Sequence, residues 1–199
     1  VHAMSHPLGG HFDLPHGVAN AVLLPHVMGF NLISCSEKYA QVAEALGERV
    51  RLAFGCPVAV KPGLKDLSSA YRQSRKQYLA PELLEALLVP GRERDERVVG
   101  LTEVDLYAAG LNYVFGQADI VNQTAVVSLC RLRQEYYGSP PDEELFMERA
   151  TKEIVHELGH TFSLGHCPDP RCVMHFSNCL ADTDYKKASF CGKCRPKII

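Results

Sequence analysis

The sequence predicts an α/β (α+β) fold, in which a mixed twisted sheet carries one long helix. Two observations predict it. Short apolar runs rich in β-branched residues, at 98–102 and 124–129, have the composition of buried strands. A long helical segment at 142–164 follows them and is introduced by two consecutive prolines. Strands that precede a long helix in this order are typical of a mixed α+β domain.

The elements before these strands are predicted in order along the chain. Apolar residues recur at roughly helical period over 36–54, which predicts a helix, and Gly55 is placed to end it. The apolar run 56–60 then predicts a short buried strand. After a mixed polar stretch, residues 81–88 are expected to form a short helix.

The second half of the chain is predicted to hold the remaining strands and the long helix. A further strand is expected at 111–115, between those at 98–102 and 124–129. Asp142, Glu143 and Glu144 would lie in the first turn of the long helix, where negative charge suits the helix dipole. Strands near a substrate commonly pair with extended peptides by edge addition.

Composition and charge exclude several classes of function. The 199 residues are enough for one sizeable core, and 46% hydrophobic with 22% charged residues is ordinary for a globular protein. A net charge of −2 offers no footprint for nucleic acid. No apolar run approaches the roughly 18 residues of a membrane span, and no signal peptide is evident. We therefore expect a cytoplasmic protein, a monomer, that binds neither membrane nor nucleic acid. The chain starts at Val1, which suggests a fragment, a processed product or an unusual gene start.

The stretch from His156 to His166 carries the strongest chemical signal. His156 and His160 are four residues apart, so on an α-helix both rings share one face and can reach one ion. His166 lies six residues further on, and the chain has to turn to bring it back. Three imidazoles around zinc leave a fourth position for the water that hydrolysis requires. Glu157 is next to the first ligand and is placed to take that water's proton as general base. The alternative is a chance cluster of histidines on a helix.

The cysteines near the C-terminus predict a second metal site. Eight cysteines occur, and five of them lie in the last 33 positions. Four form a C-x4-C pair and then a C-x2-C pair: Cys167 and Cys172, followed by Cys191 and Cys194. Two such pairs predict a tetrahedral site for a structural zinc. The alternative is two disulfides, but the short gaps within each pair favour a metal. The other four are expected to be small buried or surface thiols: Cys35, Cys56, Cys130 and Cys179.

These motifs together resemble the archaemetzincin signature, His-Glu-x-x-His-x5-His-Cys-x4-Cys-x-Met followed by Cys-x-x-Cys. The resemblance extends back to about residue 49 and covers roughly three-quarters of the chain. It implies a metzincin-like mixed sheet with an active-site helix and a small zinc-bound C-terminal subdomain. It also implies two Zn²⁺ ions per chain and the hydrolysis of peptide bonds in a peptide or protein substrate (EC 3.4). The implied ligands are three histidines for the catalytic zinc and four cysteines for the structural one: His156, His160, His166, Cys167, Cys172, Cys191 and Cys194.

Two further positions matter for the resemblance. Met174 lies eight residues beyond His166, where a metzincin places the methionine of its Met-turn beneath the metal. The alternative is an ordinary core methionine. The family pattern has Gly three residues after the second histidine, because the chain turns there with little steric tolerance. This chain has Ser163 at that position, which predicts a strained turn.

The first 48 residues differ from the rest and predict a separate helical segment, followed by an archaemetzincin-like zinc metallopeptidase domain at 49–199. Five of the nine histidines lie in 1–48, and the run resembles a fragment of the iron-dependent (group III) alcohol dehydrogenases. That resemblance implies His2 and His16 as metal ligands and His6 beside a substrate. The other ligands and the nucleotide-binding glycines of that family are absent, so we do not expect a dehydrogenase.

The sequence leaves three functions open. The first is a zinc metallopeptidase with Glu157 as general base. The second is a catalytically idle zinc-binding domain of the same fold, which Ser163 and the unusual N-terminal segment favour. The third and weakest is a fragment of an iron-dependent alcohol dehydrogenase. Two neighbouring side chains are ambiguous: Tyr185 as a substrate contact or a half-exposed aromatic, and His175 as a polar neighbour of the site.

Overall fold

The fold is taken from a computed structural model that describes residues 38–61, 67–88 and 96–198. The chain divides into two compact units, Val1–Ala45 and Leu46–Ile199. Of the first unit only 38–45 are described, and they are helical. The predictions for the histidine-rich run, including His2, His6 and His16, and for Cys35 lie outside the described residues.

Residues 38–54 are helical (α1), which confirms the described part of the predicted helix. The helix ends at Gly55, whose φ of 73° is in the left-handed region and whose amide donates to the Arg51 carbonyl over 2.8 Å.

The predicted strand at 56–60 is wrong. Val58 and Val60 are 40% and 38% exposed, and the run pairs with no strand among the described residues. An apolar run without a pairing partner does not form a strand.

A small sheet comes next along the chain. It contains β1 (Tyr71–Arg72), β2 (Gln77–Leu79) and β4 (Leu106–Tyr107), in the order β1-β2-β4. Strand β2 runs directly into helix α2 (Ala80–Ala86), with Pro81 in its first turn, close to the predicted 81–88. Leu83 and Leu84 of α2 pack in one buried cluster with Leu106 and Val126, so the helix joins this sheet to the next.

The second sheet has the order β3-β6-β5. Strands β3 (Val98–Thr102) and β6 (Thr124–Ser128) are parallel, whereas β5 (Gly116–Asp119) runs antiparallel to β6. The predicted strands at 98–102 and 124–129 are confirmed, and every residue of β6 is buried.

The strand predicted at 111–115 is wrong, since the strand begins only at Gly116. Within 111–115, Val114 alone forms a bridge, to Leu106. The Arg75 guanidinium donates to the carbonyls of Leu111 and Asn112, which removes two acceptors that a strand ladder would need.

The long helix α3 (Glu143–Thr161) lies against β5 and β6. The Asp142 carboxylate caps it by accepting from the Leu145 amide over 3.0 Å. The helix ends three residues before the predicted 164, because the chain turns at Ser163. A last short helix, α4 (Leu180–Tyr185), contacts α3. The predicted fold class is confirmed, with the strands divided between two three-stranded mixed sheets.

Behind the C-terminal end of α3 lies a second apolar cluster. Val155 and Leu164 pack there with Val173, Met174 and three of the four paired cysteines. Phe54 of α1 stacks on Phe162 with 5.5 Å between ring centroids. None of the helices in the described residues combines the length and apolar character of a membrane span.

Candidate active site

Three imidazoles meet at the end of α3. His156 and His160 project from successive turns of the helix, and the turn after Thr161 returns His166 to them. The ring centroids are 4.7 Å apart for His156 and His160, 5.4 Å for His156 and His166, and 4.9 Å for His160 and His166. One nitrogen of each ring lies within 4.8 Å of the other two. His156 is buried, His160 is half-buried and His166 is exposed, so the cluster opens to solvent on one side.

Hydrogen bonds to main-chain carbonyls fix the orientation of two of the rings. His156 Nδ1 lies 2.7 Å from the Val173 carbonyl oxygen, and His160 Nδ1 lies 2.7 Å from that of Leu164. A carbonyl can only accept, so each Nδ1 carries the proton and each Nε2 presents a lone pair. The two Nε2 atoms are 3.1 Å apart. Two lone pairs that face each other at this distance repel unless a cation lies between them, so this donor set fits a zinc ion.

Burial keeps these imidazoles neutral. It lowers the pKa of His156 to about 2, and the positive charge of Lys186 acts in the same direction. Burial also lowers the pKa values of His160 and His166. The neutral form is the form that binds a metal.

The turn between the second and third histidines forms without glycine. Ser163 has a φ of 62°, in the left-handed region that disfavours side chains other than glycine. Its amide donates to the His160 carbonyl over 2.8 Å, and the Leu164 amide donates to the Gly159 carbonyl over 3.3 Å. The predicted strain is therefore present, but the turn still brings His166 to the cluster.

Glu157 is buried between α3 and the edge of the second sheet. A β-carbon at Gly116 of β5 would lie 2.6 Å from Glu157 Cγ, so the missing side chain makes room for the carboxylate. Burial raises the pKa of Glu157 to about 8, the neighbouring Glu153 adds to the rise, and Lys186 opposes it. A cation held by the adjacent imidazoles would favour the ionised carboxylate.

Met174 lies beneath the helix, as a Met-turn residue would. It is fully buried, and a β-carbon at Gly159 would lie 2.4 Å from its sulfur atom. The Cys167 amide donates to the Met174 carbonyl over 2.8 Å. Gly159 between the two helical histidines is thus required for the close approach of Met174.

The four paired cysteines converge beside this site. Their sulfur atoms lie within 4.8 Å of one another, with 3.8 Å between those of Cys167 and Cys191. Every cysteine in the described part of the chain is free, so the disulfide alternative is not realised there. Amide donors from Lys193 and Cys194 lower the pKa of Cys191 to about 7, whereas burial raises the pKa values of Cys172 and Cys194. Four free thiols gathered in an apolar cluster fit a tetrahedral zinc.

The remaining sequence candidates are not members of these two clusters. Cys56 and Cys179 are exposed, and Cys130 is half-buried. His175 is placed to bond the Cys167 carbonyl through Nδ1, 2.9 Å away, and belongs to neither cluster. The ring of Tyr185 lies 4.2 Å beneath the guanidinium of Arg171, which accounts for its orientation without a substrate.

Sequence reasoning missed two features of the site. One is Gly116, which lies 41 positions before Glu157 and shows no local signal of its role. The other is a buried ion pair behind the histidines, with Lys186 Nζ 3.0 Å from Glu153 Oε1. A signal existed for the pair, because Glu153 lies one helical turn before Glu157 on the same face.

Comparisons with known proteins agree with this geometry. The model of peptidase family M54 matches residues 34–199. An archaemetzincin of Pyrococcus furiosus is 44% identical over 173 residues, which are 84% of this chain and 90% of that protein. An archaemetzincin of Methanopyrus kandleri is 54% identical over 155 residues, 78% of this chain and 85% of that protein. The crystal structure of a zinc-dependent peptidase from Methanocorpusculum labreanum matches with a TM-score of 0.74 and 29% identity, over 80% of this chain and 94% of that one. This chain therefore belongs to peptidase family M54 and is a zinc metallopeptidase of the archaemetzincin type.

Proposed function

We propose that this chain hydrolyses peptide bonds at a zinc ion held by His156, His160 and His166, with Glu157 as general base. The observation that carries the proposal is the convergence of imidazole lone pairs beside a buried carboxylate. When bound, zinc supplies a Lewis acid that polarises the scissile carbonyl and acidifies the attacking water.

The protein's own groups perform the proton transfers. Glu157 takes the proton of the water and then delivers it to the leaving amine. Its position next to His156, with its side chain seated against Gly116, holds it for both steps. The carbonyls of Val173 and Leu164 hold two imidazoles in the tautomer that binds the metal.

The substrate in this proposal is an extended peptide that adds to strand β5. Ser128 pairs with Phe115, and the register continues with Gln117 opposite Val126 and Asp119 opposite Thr124. Because antiparallel pairs exchange hydrogen bonds at alternate residues, the main-chain groups of Gly116 and Ala118 face the outer edge. No described strand covers that edge. A peptide bound there would have its scissile bond beside Glu157.

The proposal assigns a second zinc to Cys167, Cys172, Cys191 and Cys194, which makes two ions per chain. Elemental analysis of the purified protein should give about two zinc atoms per chain.

We also propose a cytoplasmic monomer that acts on peptide or protein substrates and not on nucleic acid or membranes. Light scattering and nucleic-acid and vesicle binding assays test the monomer and the two exclusions. The proposal also divides the chain into a helical segment at 1–48 and a peptidase domain at 49–199. Helix α1 crosses that boundary, so the test is a chain that starts at residue 38, which should keep the zinc content and thermal midpoint of the full chain.

The competing function is an idle zinc-binding domain of the same fold, which the strained turn at Ser163 favours. Glu157→Gln separates the two, because the amide fills the same space but takes no proton. The peptidase proposal predicts that the zinc-loaded wild type cleaves members of a peptide library. The variant should keep its zinc and lose at least about 100-fold in rate. Equal cleavage by both forms would refute the role of Glu157, and no cleavage by a fully zinc-loaded wild type would favour the idle domain.

A further inference from the structure

Behind the histidines lies a buried ion pair that the proposed chemistry does not use. The side chain of Lys186 is 0% exposed and that of Glu153 is 4% exposed, with 3.0 Å between Nζ and Oε1. The hydroxyl of Thr183, which is also fully buried, donates to the same carboxylate oxygen over 3.0 Å. Buried charges need such compensation, because each loses its hydration when it enters the protein.

The pair joins the three parts of the chain that surround the metal centre. Glu153 is on α3, three residues before His156 and four before Glu157, so all three side chains lie on one helical face. Lys186 follows α4 and also donates to the carbonyl of His175 over 3.5 Å. His175 is the residue directly after Met174. The His175 amide donates to the Cys172 carbonyl and closes a turn around Met174, the Met-turn at 172–175. One ammonium group therefore ties the active-site helix to the Met-turn and to α4.

The contacts of His175 extend this link to the metal ligands themselves. Its amide donates to the Cys172 carbonyl over 2.9 Å, and its Nδ1 lies 2.9 Å from the carbonyl oxygen of Cys167. Cys167 in turn follows His166 directly. A displacement of the His175 main chain would thus reach Met174 on one side and the third imidazole on the other.

We propose that Lys186, paired with Glu153, is a positioning residue of the peptidase: it sets the Met-turn and His166 against the helix that carries His156 and His160. This inference rests on the proposed catalytic function. It assigns the pair to the geometry of the metal centre, beyond a contribution to stability. Replacing residues that orient metal ligands typically lowers metal affinity or activity about 10- to 100-fold.

The test compares Lys186→Met with the double variant Glu153→Gln, Lys186→Met. The single change leaves the buried Glu153 carboxylate with the Thr183 hydroxyl but without its counter-charge, which destabilises the protein. The double change removes both charges and roughly keeps the side-chain volumes. Lys152→Met is the matched control. Lys152 is a comparably buried lysine of α3, but its ammonium group bonds Glu148 and the carbonyl of Asp184 instead of Glu153 and the carbonyl of His175.

Three quantities are measured on proteins with cobalt(II) at the histidines and zinc left at the cysteines: the visible absorption of cobalt, the thermal midpoint, and kcat and KM on a peptide that the wild type cleaves. We expect the double variant to be more stable to heat than the single variant. Its cobalt spectrum should nevertheless differ from that of the wild type. Its kcat should be about 10- to 100-fold below wild type, with little change in KM. The Lys152 variant should lose stability but keep the spectrum and kcat.

Wild-type spectrum and kcat in the double variant would overturn the proposal, since the pair would then serve stability alone. An equal loss of kcat in the Lys152 variant would overturn it as well. These outcomes differ from a failure of the proposed function. In that case the wild type itself would bind no cobalt at the histidines or cleave no peptide, and the positioning role would fall with it.

Discussion

Ser163 shows how one residue can depart from a family pattern without losing the site. Its φ of 62° is the conformation for which the pattern has glycine, and two main-chain hydrogen bonds hold it there. A left-handed conformation costs a residue with a side chain about 1–2 kcal/mol. The spacing of the histidines was thus sufficient to predict their convergence, although the turn between them was expected to be strained.

Ser163→Gly should stabilise the protein by about 0.5–1 kcal/mol. Removal of the left-handed strain raises the free energy of unfolding by about 1–2 kcal/mol. The greater freedom of glycine in the unfolded chain lowers it again by about 0.5–1 kcal/mol. Urea denaturation of the zinc-loaded protein measures the difference. Ser163→Ala is the matched control, since it removes the hydroxyl but keeps the strain. If the turn stored no strain, the glycine variant would instead be about 0.5–1 kcal/mol less stable than the alanine variant, because only the unfolded-state entropy of glycine would remain.

At the scale of elements, the contact between α3 and β5 determines where Glu157, the proposed general base, lies. The sequence predicted α3, β3 and β6, because their periodicity and β-branched residues follow from burial. Strand β5 was missed, since Gly116–Asp119 has little intrinsic preference for a strand. Its conformation comes from pairing with β6, and pairing between distant segments is not visible in a short window of sequence. Gly116 and the pair of Glu153 with Lys186 escaped prediction for the same reason.

Gly116→Ala should lower kcat/KM about 100-fold. The new β-carbon would lie 2.6 Å from Glu157 Cγ and 2.8 Å from the Val126 carbonyl oxygen, and the backbone oxygen has no room to move. If Glu157 is the general base, as we propose, a displacement of its carboxylate by about 1 Å is enough for a loss of this size. Steady-state kinetics on a cleaved peptide, together with zinc content, measure it.

The control for this change is Gly100→Ala in β3 of the same sheet. There the new β-carbon would meet only the side-chain end of Leu87, at 3.0 Å, and a flexible side chain can move aside. We expect wild-type kcat/KM for this variant. A similar loss in both variants would mean that the effect is general to the sheet and not specific to Glu157.

At the scale of the whole molecule, the C-terminal part depends on its cysteines for a core. The buried cluster there combines Val155, Leu164, Val173 and Met174 with three cysteines, and the active-site helix packs on it. A core this small is typical of segments that a structural metal holds together. The cysteine spacing predicted the cluster, and the adjacency of His166 and Cys167 already placed it next to the histidine site. Only the three-dimensional structure shows that Met174 of this cluster also packs against Gly159 of the active-site helix.

Loss of the cysteine-bound metal should therefore destabilise the protein and its active site together. Cys191→Ser is expected to reduce the zinc content by about one per chain and to lower the thermal midpoint by about 10 °C or more. This follows because loss of a structural zinc costs several kcal/mol, and each kcal/mol corresponds to about 2–4 °C for a chain of this size. Calorimetry and elemental analysis measure both quantities.

Cys179→Ser provides the comparison, because Cys179 lies in the same tail but is exposed and outside the cluster. It should keep two zinc atoms per chain and the wild-type midpoint. A Cys191 variant with an unchanged midpoint would contradict a structural role for the metal.

The edge of β5 that no described strand covers has a consequence for self-association. A strand edge that can accept a peptide can also accept the edge of another copy of the chain, which is how many proteins begin to aggregate. This edge is only four residues long, with glycine at one end and the carboxylate of Asp119 at the other. Short length and an edge charge are two of the devices by which natural sheets avoid such pairing. In the proposed function this strand aligns one substrate, and its short length and edge charge oppose pairing with another copy of the chain.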